Sequence, residues 1–348
     1  MADPESMSIM DPVAVRRIMY RQALQEALAE EMERDARVFI LGEDILDPWG
    51  GSFKVTEGLS TRFGVERVRE TPISEEAIVG CAVGAALIGM RPVAEIMFSD
   101  FAALAMDQIV NQAAKARYMS GGQVEVSLVI RTAGGASRSA AAQHSQSLEA
   151  WFCHVPGLKV VMPSNPYDAK GLLKSAIRDP DPIIFIEHKM LYAERGPVPE
   201  GEYLVPLGLA DVKRAGTDVS IIATSRQVQH ALEAAEVLQR ESGIDAEVID
   251  VRTLYPLDRS TLVDSVHKTG RAVIVSEAVL RGSYSAELAS ILSEDAFAEL
   301  KAPVVRVGAH NTPVPFAPEL ERYVLPDVER IVAAVRRLCD YSKGRTYG

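Results

Sequence analysis

Residues 70–101, ETPISEEAIVGCAVGAALIGMRPVAEIMFSDF, decide how the rest of the chain is read. Thr71 precedes Pro72, which pushes it away from helical backbone and closes the strand-like RVRE before it. Ser74 is placed to cap a helix, and Glu75 falls in the first turn, where the helix dipole favours a carboxylate. Gly80 and Gly84 lie four apart on one helical face, so another backbone can come close. That spacing can mark a membrane dimer, but the apolar run falls short of the ~20 residues that span a bilayer. Close packing against another helix, across a subunit contact for example, is the expectation. RPVAEIMF then reads as a second strand, which makes the stretch a βαβ unit.

The same alternation extends outward in both directions. Upstream, residues 13–35 show helical periodicity and lead into the strand RVFIL, which GED closes. Downstream come a long helix from Asp100 to Tyr118, the strand VEVSLVIR, a helix after His144, LKVVMP, a helix over YDAKGLLKSAI, and PIIFIEH. From 188 to 217 the chain turns rich in Pro and Gly and reads as a linker. Alternation resumes in DVSIIAT, QHALEAAEVLQRE, DAEVIDV, RAVIVSE and APVVRVG, and a last helix begins beyond Pro326. The expected fold class is α/β, two domains with mainly parallel sheets: a first domain over 16–187 and a smaller one over 218–348. A flexible tip is expected over 1–15.

The chain is 348 residues long, 47% hydrophobic and 24% charged, with a net charge of −11. Such an acidic chain with scattered Lys and Arg is a poor partner for nucleic acid. Three cysteines without metal spacing argue against a disulfide framework and for a reducing compartment. No signal peptide or bilayer-length run is present, so a cytoplasmic protein with no membrane partner is expected.

Phosphate loops of the GxxxxGK[ST] kind, GxGxxG, the GxSxG elbow and HExxH are all absent. Simple NTPase, nicotinamide-dehydrogenase, hydrolase and zinc-protease readings are thereby weakened. Two α/β domains without a phosphate cradle suggest an unusual cofactor or part of a cofactor site.

TPISE (71–75), EIMFSDFAALAMDQIVNQAAKARYMSGG (95–122), AAAQHSQSLEAWFCHVPGLKVVMPSNPYDAKGLL (140–173) and HNTPVPFAPELE (310–321) complete the picture. In that order they resemble the beta subunit of the thiamine-diphosphate-dependent first component of 2-oxoacid dehydrogenase complexes. The likeness runs from about Tyr20 to Leu338. QHSQSLEAW, PSNPYDAKGLL and FIEHKMLY lean towards the acetoin-dehydrogenase and bacterial pyruvate-dehydrogenase branches. The resemblance implies a transketolase-like pyrimidine-binding domain followed by a C-terminal domain. It also implies an alpha subunit that grips the diphosphate and magnesium, an α2β2 heterotetramer, and delivery of the acyl group to a lipoyl-bearing dihydrolipoyl acyltransferase core.

By the same resemblance Glu75 holds the aminopyrimidine ring nitrogen, Phe101 stacks on that ring and Met97 lines the pocket. His144 handles protons around the substrate during transfer to a lipoyl group, work that suits an imidazole titrating near neutrality. Without the resemblance, Glu75 reads as a helix-start carboxylate, Phe101 and Met97 as core, and His144 as structural. Glu43 reads as a loop carboxylate, with a place beside Glu75 as the alternative. Family members that bind potassium do so at positions matching Leu128, Ala176, Ile177, Asp179 and Asp181, the last of which is usually Asn. Rival readings are the C-terminal half of a split transketolase and a non-catalytic scaffold subunit.

Overall fold

The computed structural model describes residues 15–136 and 139–341. The tip expected over 1–15 lies, apart from Val15, outside the described residues. Through residue 188 the strands are β1 (Val15–Met19), β2 (Val38–Gly42), β3 (Val68–Glu70), β4 (Arg91–Ile96), β5 (Val129–Gly134), β6 (Lys159–Val161) and β7 (Ile183–His188). Beyond them come β8 (Arg195–Pro199), β9 (Asp211–Arg214), β10 (Val219–Ala223), β11 (Ala246–Asp250), β12 (Thr253–Tyr255), β13 (Ala272–Val279) and β14 (Val305–Ala309).

A seven-stranded sheet has the order β12-β6-β7-β5-β4-β2-β3, parallel except at β12, and a five-stranded sheet the order β14-β13-β10-β11-β9, parallel except at β9. Strands β2, β5 and β7 are buried along their whole length, as central parallel strands covered on both faces must be. The helix Glu75–Leu87 and the segment 99–119 cover one face of the first sheet. Helices Tyr20–Arg34 and Pro166–Arg178 cover the other. The first of these cores continues through Ile222, Ile249 and Ile274 into the second sheet, so the two halves share apolar packing.

Register brings three strand ends level: Ile96 pairs with Thr132, and Thr132 with Ile186. A buried charge network locks the same three strands. Arg131 on β5 donates to Glu187 on β7 at 2.6 and 2.8 Å and to Glu95 on β4 at 2.8 Å. Ligands of open α/β sheets bind at this carboxyl edge.

Three local expectations are corrected. The helix expected from residue 13 starts only at Tyr20, because the amides of Tyr20 and Arg21 bond to the carbonyls of Glu194 and Tyr192. Residues 15–19 instead form β1, antiparallel to β8. The expected linker therefore contributes β8, and β9 as well. The expected helix from Asp100 to Tyr118 is a 3-10 helix over Ser99–Ala105, a π-helix over Gln108–Ala113 and an α-helix over Ala114–Met119. Its first turn is tightened where Ser99 and Asp100 reach across to residue 146.

Candidate active site

Beyond the end of β4, Phe98 begins an aromatic cluster. Its ring centroid lies 4.6 Å from that of His144 and 5.6 Å from that of Phe101, and Phe101 and His144 stand 5.3 Å apart, all edge-on. Such geometry lets ring edges meet ring faces. All three rings are half-buried. Two sequence-predicted residues, Phe101 and His144, thus come together from segments more than forty positions apart.

His144 does not open a helix; the next helix starts at Glu149. Gln146 explains why. Asp100 Oδ1 accepts from the Gln146 amide at 3.2 Å and from its Nε2 at 2.8 Å. The Gln146 carbonyl accepts from Ser99 Oγ at 3.2 Å and from the Gly135 amide at 3.1 Å. These contacts spend the backbone groups a helix would use and hold the chain open two residues past His144.

Glu75 is the first residue of its helix and is buried. Its carboxylate makes no hydrogen bond among the described residues, although its helix packs against the 3-10 turn that carries Phe101. The residue is only 7% exposed, yet its oxygens are not fully enclosed, so the carboxylate can accept a hydrogen bond from outside the chain. Glu43 does stand near it: burial first, then the Glu75 charge, push the Glu43 carboxyl upward. Met97 is half-buried and borders a small pocket beside Arg131 and Tyr192. A Cβ added at Gly80 would meet the Gln108 side chain at 3.5 Å, whereas one at Gly84 would face open space.

The second half of the chain reaches this edge through Glu277 on β13. Glu277 Oε2 lies 3.0 Å from His188 Nε2, and Oε1 accepts from the Ala136 amide at 2.6 Å. Burial would raise the Glu277 carboxyl, but His188 and that amide hold it down at about 2. Gly135 has φ +77°, and a Cβ there would sit 2.2 Å from His188 Nε2, so this position requires glycine. Asn311 and Thr312 face Gln146–Leu148 across a cleft of about 430 Å³.

Sequence reasoning missed Phe98, Asp100 and Gln146. Gln146 had a visible signal, the second amide of QHSQ. Phe98 and Asp100 had none beyond their nearness to Phe101.

The positions matching the potassium site gather where the helix Pro166–Arg178 turns into β7, beside the start of β5. The Ile177 and Asp179 carbonyls accept from Arg91 Nη1 at 2.8 and 3.4 Å, and that of Leu128 accepts from the Ile183 amide. Lys159 holds Asp179 at 2.7 Å and Asp181 at 3.1 Å, while Arg117 also pairs with Asp181. Both carboxylates are therefore already balanced by cationic side chains. Among the described residues, no group of three or more His, Cys, Asp or Glu is placed to hold a metal ion. Nor is any helix there long and apolar enough to cross a membrane.

Sheet order, the shared core and the site at the carboxyl edge define a two-domain α/β protein of the transketolase type. The family model for the transketolase pyrimidine-binding domain matches residues 16–195, and that for the transketolase C-terminal domain matches 208–331. A split-gene transketolase, solved as an inactive beta4 tetramer, superposes with a TM-score of 0.75 at 26% identity, over 93% of this chain and 98% of that one. Closer in sequence is the beta subunit of the acetoin:2,6-dichlorophenolindophenol oxidoreductase of Cupriavidus necator, 50% identical over 92% of this chain and 97% of its own. The 2-oxoisovalerate dehydrogenase subunit beta of Bacillus subtilis is 47% identical, over 92% of this chain and 98% of its own. The pyruvate dehydrogenase first-component subunit beta of Rickettsia felis is also 47% identical, over 93% and 99%. The chain belongs to this family of oxidoreductase beta subunits of 2-oxoacid and acetoin dehydrogenase complexes.

Proposed function

We propose that this beta subunit joins an alpha subunit as an α2β2 heterotetramer that decarboxylates a 2-oxo acid such as pyruvate, or cleaves acetoin. The acyl group then passes to a lipoyl group on a dihydrolipoyl acyltransferase core. The observation that carries the reading is Glu75: a largely buried residue whose carboxylate makes no hydrogen bond among the described residues, on a helix packed against the turn of Phe101, whose ring meets His144. Identities of 45–50% to dehydrogenase beta subunits, against 26% to the split transketolase, favour it over ketol transfer.

Thiamine diphosphate, when bound, supplies a carbon nucleophile for the substrate carbonyl. Glu75 is the residue of this chain that would hold the pyrimidine ring, by a hydrogen bond to a ring nitrogen. Phe101 offers a ring face for stacking, and Met97 fills the wall beside it. His144, poised at the aromatic cluster, takes up and returns protons at the substrate oxygen. Magnesium and the diphosphate are assigned to the alpha subunit. Potassium, where bound, would rest on main-chain oxygens, since Asp179 and Asp181 are engaged by Lys159 and Arg117.

The test is turnover of the reconstituted pair. Glu75→Gln should abolish activity and weaken coenzyme binding while leaving assembly intact; near-wild-type turnover would sink the assignment. His144→Ala should lower lipoyl acylation by about 10²–10⁴. Unchanged acylation would leave the histidine a structural part.

A further inference from the structure

Lys189 follows the last residue of β7, on the same edge as Phe98 and the Gly135 loop. It is 8% exposed, and its ammonium makes no hydrogen bond among the described residues. The Nζ stands 5.4 Å from the centre of the Phe98 ring, the ring that also meets His144. Three buried donors without an acceptor are costly, and an arriving acceptor would remove that cost. The neighbouring carboxylates, Asp100, Glu277 and Glu321, influence the amine but none bonds to it. Burial lowers it to about 8, so it keeps its charge at neutral pH.

A second observation points to an anion. Beside Lys189 opens a cleft of about 440 Å³ between the start of the helix Tyr20–Arg34, the 52–54 loop and the 189–193 turn. Its lining carries Arg21, Lys54, whose ammonium also donates to the Pro48 and Trp49 carbonyls, and Lys189, whose ammonium is enclosed behind it, and not one Asp or Glu, in a chain whose net charge is −11. A cationic cleft in an acidic protein concentrates small anions locally. Its inner wall is Phe53, which touches Phe98 edge-on at 5.9 Å, so cleft and candidate site are one ring apart.

We propose that Lys189 recognises the carboxylate of the 2-oxo acid substrate, with Arg21 and Lys54 drawing the anion in. This rests on the proposed function and adds to it the residue that separates a charged 2-oxo acid from a neutral ketone. A charge-assisted hydrogen bond from a buried ammonium is the strong kind, and methionine of similar length removes it without leaving a hole.

The experiment compares wild type, Lys189→Met and Lys189→Arg in the reconstituted pair. KM and kcat are measured for the 2-oxo acid that the wild type uses, and the inhibition constant for its neutral methyl ester. Loss of the charge should raise KM for the acid about tenfold or more, with kcat within about threefold, and shift the ester constant by less than about twofold. Arginine should recover most of the KM. An unchanged KM, or equal weakening of acid and ester, overturns the inference. So does failed assembly with normal KM in the assembled fraction, because Lys189 would then be pairing with an acidic group of the alpha subunit. A wild-type pair inert towards every 2-oxo acid would instead bring down the proposed function itself.

Discussion

Glu149 and Glu75 are both first residues of helices and both buried, yet they serve opposite ends. The Glu75 carboxylate makes no hydrogen bond among the described residues, whereas Glu149 lines a small cavity between the two halves with Ser147, His188 and Glu277. One Glu149 oxygen has no partner, and burial pushes its carboxyl up to about 7. The unfolded chain releases that proton near pH 4.3, the folded chain only near 7. Its contribution to stability is therefore complete below the lower value and lost as pH rises towards the upper one. Glu149→Gln keeps the shape without the charge. Between pH 5 and pH 8 the wild-type pair should weaken against this variant by about 2–3 kcal/mol, read as a widening gap in melting temperature. Parallel melting profiles across that range would show that Glu149 is already ionised at pH 5.

The elements that carry the site are those that depart from regular structure. The segment 99–119 passes from 3-10 to π to α geometry, and the stretch before Glu149 stays open because Gln146 is clamped by Ser99, Asp100 and Gly135. Gln146→Ala removes the Nε2 bond to Asp100, the one side-chain bond of the clamp, and should reduce turnover by about tenfold at most, since the main-chain bonds of residue 146 remain. The melting temperature should barely move, since only one partly exposed bond is lost; full activity would mean that the Gln146 side chain does not position His144. The contrast with the regular elements explains what could be read from the chain. β2, β5 and β7 were legible because a strand buried on both faces is written as a continuous apolar run. The helix at Glu75 was legible because Thr71-Pro72 and Ser74 mark its start in a few residues. Phe101 and His144 were reachable through the resemblance of their surrounding segments. The ribbon of β1 and β8 was not, because its pairing joins residues almost two hundred positions apart. Lys189 was also silent, since an amine without an acceptor becomes visible only when the folded neighbours are known.

At the scale of the whole molecule, the two halves are held by charge as well as by the shared core. Asp168, fully buried on the helix Pro166–Arg178, accepts from Lys213 of β9 at 2.7 Å and from Arg252 beyond β11 at 2.8 Å. Burial alone would raise Asp168, but these two cations hold it low and ionised. Asp250 lies in the same network and is driven the other way, up to about 7, because burial outweighs Lys213 at 3.8 Å. The two acids should therefore respond differently to loss of charge at pH 6. Asp168→Asn removes the buried carboxylate that pairs with both Lys213 and Arg252, leaving Arg252 only Asp211 at 3.7 Å and the Leu209 and Ala210 carbonyls, which costs about 3–5 kcal/mol. Asp250→Asn replaces a group already carrying its proton: the amide oxygen still accepts from the Arg252 amide and the NH2 donates to Ser164 Oγ in place of the carboxyl proton, so the loss should stay under about 1 kcal/mol. Melting of the two variant pairs at pH 6 separates these outcomes, and a similar loss for both would show that Asp250 is charged in the native state. The large effect at Asp168 should also reach catalysis: Glu277 on the second half fastens the loop before His144 through Ala136, so loosening the halves should slow lipoyl acylation even in the fraction that stays assembled.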